Sequence, residues 1–324
     1  MNIKKIIFAA MVFVALITTA SCQKDPVSSE STDNKWDRIA DFGGAAVRGS
    51  GSFTIGTSAY IVSGYTSGLS GAVWQYNSVS NTWTSKSNFP GTARLHSNGF
   101  SVGTKGYIMF GMDNNNFLAD FWEYDSVTDG WTKKSDFPGG TRAFSASLVI
   151  NQKVYIIGGY ASLQETQKRK DVWEFDPQNN TWTKKNDFPG TSNPASGFAI
   201  GSKGYFGTGS KDFWEYDPQT DQWVRKADYA GAARDEAFAY STSTKGYMGI
   251  GTQFANGAIT LLKDFYEYNP QTNTWTKVSD FGGSGRTIAM GFSIGNFGFF
   301  GGGSNDNMTM PTNYRDYWKY TPAQ

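Results

Sequence analysis

Tryptophan recurs at Trp36, Trp83, Trp131, Trp182, Trp223 and Trp275, at intervals of 41 to 52 residues. Each is followed five and six residues later by Asp or Asn and then Phe or Tyr, as in "WTKKSDF" and "WVRKADY". Seven residues before the last five stands another aromatic: Tyr76, Tyr124, Phe175, Tyr216 and Tyr268. Between the two members lies turn chemistry such as "DPQNN" and "NPQTN". Self-similarity with a period of about 40–50 residues demands an architecture made of repeated supersecondary units. Each unit reads as four short strands, named a to d, for example "AFSASLVI", "KVYIIGG", "DVWEFD" and "TWTKKN". With 38 glycines and 16% aromatic residues, the 324-residue chain favours an all-β fold.

The two ends of the repeat complement each other. The final unit supplies strands a, b and c and stops at "YRDYWKYTPAQ", so Tyr320 lacks the Trp seven residues on. Trp36, in "KWDRIADFGG", has no strand c before it. Pairing the two as strands c and d of one blade closes a ring of six blades and leaves no unpaired sheet edge at the junction.

These residues resemble the kelch repeat, whose marks are a Gly pair after the second strand and a spaced Tyr and Trp. The pair stands at Gly158–Gly159 and Gly301–Gly302, and only its second glycine at Gly64, Gly111, Gly209 and Gly251. The resemblance covers 35–324 and implies an all-β, six-bladed kelch-type β-propeller with four-stranded blades, the last closed by the N-terminal strand. It is similar to the propellers of galactose oxidase and the N-acetylneuraminate epimerases.

The N-terminus has a different composition. Lys4 and Lys5 precede the apolar run "IIFAAMVFVALI" and then "TTASC", a secretory signal over residues 1–21 that is too short to span a bilayer. The single cysteine, Cys22, resembles the lipidated residue of a bacterial lipobox, with Thr19 where Leu is usual. Two or more acyl chains there would anchor the protein stably to a membrane. Residues 22–34, "CQKDPVSSESTDN", read as lipidated Cys and tether. The "QKD" resembles the surface-export signal of some Bacteroidetes lipoproteins, so an outer-membrane lipoprotein is expected, facing the periplasm or the cell surface. The net charge of +1 gives no bulk reason to expect nucleic acid as a partner, and a monomer is expected.

Function is expected on the face that carries the d–a and b–c connections. Its loops vary ("ASLQETQKRK", "TQFANGAITLLK", "SNDNMTMPTN"), while the opposite turns stay short. Just before strand a the repeat places Arg48, Arg94, Arg142, Arg234 and Arg286, with Asn193 in blade four. No Lys substitutes, which points to the planar guanidinium as a ring of ligand-binding groups for an acidic small molecule, a glycan or a protein segment. The opposing reading pairs each Arg with the Asp that recurs two residues before a strand-c aromatic: Asp120, Asp171, Asp212, Asp264 and Asp316, with Ala72 in blade one. Blade four lacks the Arg and blade one the Asp, so both readings stay open.

Alternation along strand a puts the second residue after each Arg on the same side: Ser50 or its neighbour, His96, Phe144, Glu236 and Ile288. Glu236 and His96 are therefore candidate acid–base groups. The resemblance to N-acetylneuraminate epimerases implies an alternative in which Glu236 moves a proton on a sugar whose carboxylate the arginines hold. A galactose-oxidase copper site is excluded, because one His and one Cys cannot supply its ligands. No cofactor and no metal are expected, and zinc lacks ligands for the same reason. Asp113 with Asn114 to Asn116 reads as turn chemistry rather than a Ca²⁺ site. All eleven Trp fall at two repeat positions and read as packing between blades, which leaves Tyr65, Phe117, Tyr160 and Phe254 as the loop aromatics able to stack on a glycan.

Overall fold

The structure, a computed structural model, describes residues 34–162, 164, 169–191, 196–207, 209–305 and 312–323. The signal segment 1–21, Cys22 and the tether up to residue 33 lie outside them, as does Asn193. Among the described residues there are strands and turns and no helix.

Six antiparallel four-stranded sheets follow the repeat. Blade one is Gly51–Ile55, Ser58–Val62, Val73–Asn77 and Thr82–Lys86. Blade six takes Met290–Ile294, Phe297–Gly301 and Tyr317–Thr321 from the C-terminal end and Lys35–Arg38 from the N-terminal end. The register of that closing strand sets Trp36 opposite Tyr320, the same pairing as Tyr76 with Trp83 and Tyr216 with Trp223. Each a strand packs on the a strand of the next blade, and the sixth meets the first. The molecule is a β-propeller with a closed ring.

The repeated residues explain the repeated packing. Strand-c Tyr hydroxyls donate to an Asx five residues on: Tyr76 to Asn81, Tyr124 to Asp129, Tyr216 to Asp221 and Tyr268 to Asn273. These Asx residues hold φ near +50 to +56°, a left-handed conformation that Asn and Asp tolerate best after Gly. In blade six Asn34 takes this place and accepts from Tyr320 at 2.8 Å. Four of the strand-d Trp residues then hydrogen-bond to the preceding blade. The indole N–H of Trp83 donates to Ala40, that of Trp223 to Asn186, that of Trp275 to Ala227 and that of Trp36 to Ser279. Every acceptor carbonyl lies four residues beyond that blade's own Trp.

Blade interfaces are layers of buried aromatic and aliphatic side chains. Phe53, Tyr60, Phe89, Ile108 and Tyr124 join blades one and two, with Trp122 and Trp131 at the margin. Close approach makes some glycines obligatory. A Cβ at Gly106 would stand 2.1 Å from the Phe53 ring, and one at Gly246 2.0 Å from Phe198. The Trp residues act as packing between blades, as expected.

Candidate functional site

The a strands of all six blades line one central channel, with Ser52, Ser101, Ser147, Ala199, Ser241 and Ser293 facing a cavity of about 430 Å³ at one end. The d–a connections deliver the chain to the opposite end, where the sequence places the arginines. Bridges between these connections and the b–c loops, Leu95 to Met112, Ala143 to Tyr160, Asp235 to Thr252 and Thr287 to Ser304, build that mouth.

Four of the five arginines do not face it. Arg94, Arg142, Arg234 and Arg286 are 0–2% exposed. Each forms a two-pronged ion pair with the Asp of its own blade: Asp120, Asp171, Asp264 and Asp316. In blade five the two bonds are 2.7 and 2.8 Å, and Arg234 also donates to the Ile250 and Ala232 carbonyls. Each guanidinium stacks on the aromatic five residues earlier: Phe89, Phe137, Tyr229 or Phe281. Buried and ion-paired inside their blades, these four do not form the predicted ligand-binding ring. Burial pushes the partner carboxyls up, but the arginine bonds and charge together outweigh it and hold Asp171, Asp264 and Asp316 below the usual range.

Arg48 is different because it is not the equivalent residue. It bridges to Tyr65 as Leu95 does to Met112 and Thr287 to Ser304, so it aligns with Leu95, Ala143, Asp235 and Thr287. The position of the buried arginines is filled in blade one by Val47, five residues after Phe42 and 3% exposed. Gly303 donates to the Val47 carbonyl as Gly64 does to that of Arg94. Blade one therefore lacks both members of the pair, Val47 standing for Arg and Ala72 for Asp. In blade four, Asp212 accepts from the Thr191 amide at 2.7 Å and from the Ser210 hydroxyl and Trp214 indole. The blade-one mismatch disappears once the register is corrected, while blade four keeps its Asp without an Arg and satisfies it through Thr191, Ser210 and Trp214.

The residues that do converge on the mouth come next along the chain. His96, Phe144, Glu236 and Ile288 all adopt φ between 53 and 58°, and Gly49 has 68°. The left-handed backbone breaks strand alternation, so these side chains do not share the side of the arginines, as alternation had predicted. A β-branched residue there is a real outlier, and such strain concentrates where surroundings impose it. The residues link the blades around the axis. The Gly49 amide donates to the Ile288 carbonyl at 2.9 Å, and that of His96 to the Gly49 carbonyl at 2.8 Å. The imidazole of His96 lies 4.0 Å, centroid to centroid, from the Phe144 ring. A Glu236 carboxylate oxygen accepts from the Ile288 amide at 2.9 Å and from the Thr287 hydroxyl. Arg48 places its guanidinium 4.9 Å over the Tyr65 ring and 3.5 Å from the Ser304 hydroxyl. Among the described residues it forms no ion pair. Among the described residues the mouth thus carries the Arg48 cation, the Asp235 and Glu236 carboxylates and one imidazole beside apolar Phe144 and Ile288.

A profile of the kelch motif matches residues 141–189, most of blade three. A solved structure described as "Structure of YjhT" superposes with a TM-score of 0.74 at 16% identity, over 86% of this chain and 95% of that one. This chain is a six-bladed β-propeller of kelch type. No curated protein sequence matches it. Chains of solved structures that match the propeller number 1161, so the fold by itself selects no ligand and the argument rests on the mouth.

Of the loop aromatics singled out from the sequence, Tyr65 lies beneath Arg48 and Tyr160 meets Phe144 edge-on at 6.2 Å. Phe117 is buried at 8% exposure and Phe254 projects at 72%. Asp113 accepts from the amides of Asn115 and Asn116, an Asx turn. Sequence reasoning missed Thr287 and Ser304, which touch Glu236 and Arg48. The signal that locates them is the constant spacing of five from the "DF" aromatic to the buried position, which makes Arg48 one residue late.

Burial, and second to it the Arg48 charge, lowers the His96 pKa from 6.5 to about 4. The imidazole is therefore neutral at pH 7. A lowered folded-state value means that the unfolded chain binds the proton first, so this contribution to stability is complete above pH 6.5 and lost as pH falls toward 4. The chain has one His, so one imidazole resonance reports it. Its NMR titration should show a midpoint near pH 4, shifted up but not to 6.5 in Arg48→Ala. A wild-type midpoint at 6 or above would contradict a desolvated imidazole at this position.

Proposed function

We propose that this propeller is a binding protein that holds an acidic, hydroxyl-bearing ligand, a sugar acid or an acidic glycan end, at the loop-face mouth of its channel. The observation that carries the reading is the contrast among the arginines. Four have a carboxylate of their own, and Arg48, at the mouth, has none among the described residues. A guanidinium without a counter-ion is the group that takes a ligand carboxylate in two-pronged fashion. Neutral His96 offers one donor and one acceptor, the Glu236 carboxylate accepts from hydroxyls, and Phe144 and Ile288 supply apolar contact for a ring face. An acylated Cys22 would tether the protein, as a monomer, to the outer membrane, where such ligands are presented.

Titration calorimetry of the full chain with N-acetylneuraminate and glucuronate tests this. Arg48→Ala should weaken binding about tenfold or more, with a smaller loss at high salt, since the lost term is electrostatic. Glu236→Gln should weaken it by a smaller factor. Arg94→Gln is no control, because it breaks the blade. Equal affinity in wild type and Arg48→Ala, or no binding of either acid, overturns the proposal. The sialate-mutarotase alternative has lost the arginines it relied on. It returns if anomer exchange disappears in Glu236→Gln while binding persists.

A further inference from the structure

On the opposite face, blade six departs from a polar cluster that blades two to five share. In blades two to five, strand c carries a Glu: Glu123, Glu174, Glu215 or Glu267. Strand b surrounds it with a Lys and a Tyr. Lys153 and Tyr155 bond to Glu174 at 2.6 and 2.8 Å, and Lys245 and Tyr247 to Glu267 at 2.7 and 2.9 Å. Strand d adds a second Lys in several blades: Lys134 to Glu123, Lys185 to Glu174 and Lys226 to Glu215. The register places Phe297 and Phe299 of blade six at the strand-b Lys and Tyr, and Lys319 at the Glu. Ile39, whose amide bonds to the Tyr317 carbonyl, stands at the strand-d Lys. A polar cluster built around an anion has become an apolar one built around a cation.

That cation is left without a counter-ion. Among the described residues Lys319 forms no ion pair. Its cross-strand neighbour Asp37 is bonded to Lys35 at 3.3 Å. The Lys319 ammonium instead lies 3.7 Å from the centre of the Phe297 ring. Beside it the blade-six and blade-one walls part into a groove of about 560 Å³, lined by Ile39, Tyr76, Ile294, Phe297, Phe299 and Lys319. The size and the mix, largely apolar walls with polar Thr57, Ser78 and Asn81 at the blade-one side and one convergent charge, are those of a small-molecule site.

We infer that this groove binds a small amphipathic anion, an aryl carboxylate or sulfonate, with its charge on Lys319 and its ring against Phe297 and Phe299. Charge complementarity selects the anion, and the missing Glu, Tyr hydroxyl and second Lys make room for the ring. The site is separate from the Arg48 mouth and stands or falls independently of it.

Fluorescence titration of the full chain with anilinonaphthalene sulfonate tests the inference. Wild type should show saturable enhancement at one site. Lys319→Glu, which restores the residue type of four other blades, should lower the affinity about tenfold or more, while Lys319→Arg stays within about threefold. Arg48→Ala should leave it unchanged. Thermal melts of the three variants separate loss of the site from loss of the fold. Equal binding by wild type and a folded Lys319→Glu, or enhancement that never saturates, overturns the inference.

Discussion

Trp36→Ala should lower the melting temperature by roughly 10 °C, more than Trp83→Ala, although the two indoles have similar surroundings. Removing a core-facing Trp costs about 3–5 kcal/mol at either position. Trp36 packs on Tyr320 of its own blade at 5.0 Å and on Phe265 and Phe281 of blade five at 5.4 and 5.1 Å. Trp83 packs on Tyr76 and Tyr317 at 5.0 and 5.1 Å, and its indole donates to Ala40 as that of Trp36 donates to Ser279. The difference is in how each strand is held. Thr82–Lys86 continues on both sides into well-packed chain, and losing Trp83 leaves it tethered. Lys35–Arg38 is four residues long and fixes the ring by pairing with Tyr317–Thr321 alone. Losing its anchor frees a strand edge and opens the circle. Hydrogen exchange should therefore quicken at the amides of 317–321 in Trp36→Ala and not in Trp83→Ala. Matching melts and matching exchange would mean that the N-terminal strand does not close the propeller.

The closure was readable in the sequence because its signal is packing between large aromatics, which fixes spacing whatever the loops do. The Tyr-to-Trp interval of seven is the length of one c–d hairpin, so Tyr320 without its Trp pointed directly to Trp36. The mouth was less readable for two physical reasons. A slip of one residue moves a strand side chain to the other side, and Arg48 was counted with the buried arginines when Val47 holds their place. The interval of five from Phe42 to Val47, the same as from Phe89 to Arg94, carries the correct register. The second reason is backbone conformation. Alternation assumes extended residues, yet His96, Phe144, Glu236 and Ile288 are left-handed, and nothing in the propensities of Phe or Ile announces that. Tertiary links between blades, such as the Gly49 and His96 amide bonds, hold it.

The corrected register also gives each face of the protein a consistent electrostatic logic. Where the repeat keeps its pair, Arg with Asp or Lys with Glu, charge is satisfied inside the blade and serves the scaffold. Blades one and four break the first pattern and blades one and six the second, with blades one and six next to each other at the ring's seam. There Arg48 and Lys319 are left, on opposite faces, without a carboxylate among the described residues. Sites on a repeat scaffold are expected where the repeat departs from itself, since the remaining positions are constrained by packing.

Arg94→Ala should destabilise the fold by about 3–5 kcal/mol, the usual cost of removing one partner of a buried ion pair. The mutation deletes the 2.7 Å bond to Asp120 and those to the Phe110 and Thr92 carbonyls, and it leaves the carboxylate facing a cavity. The double variant Arg94→Val with Asp120→Ala should recover a substantial part of the loss. Blade one shows why, since Val47 and Ala72 occupy these two positions in a blade whose strands pair regularly. Acid supplies an independent check. Burial pushes the Asp120 carboxyl up, but the bonds from Arg94 and Trp122 and the Arg94 charge outweigh it, and its pKa lies below the ordinary value. A depressed carboxyl stabilises fully above the unfolded value near 3.9 and loses that contribution as pH falls through the folded one. Without Arg94 burial dominates and the carboxyl takes up its proton at higher pH, which relieves the unpaired charge. The gap in stability between wild type and Arg94→Ala should therefore narrow between pH 7 and pH 4 in chemical denaturation. A gap that is constant with pH, or a double variant no more stable than the single, would show that Arg94 matters through its packing on Phe89 rather than through Asp120.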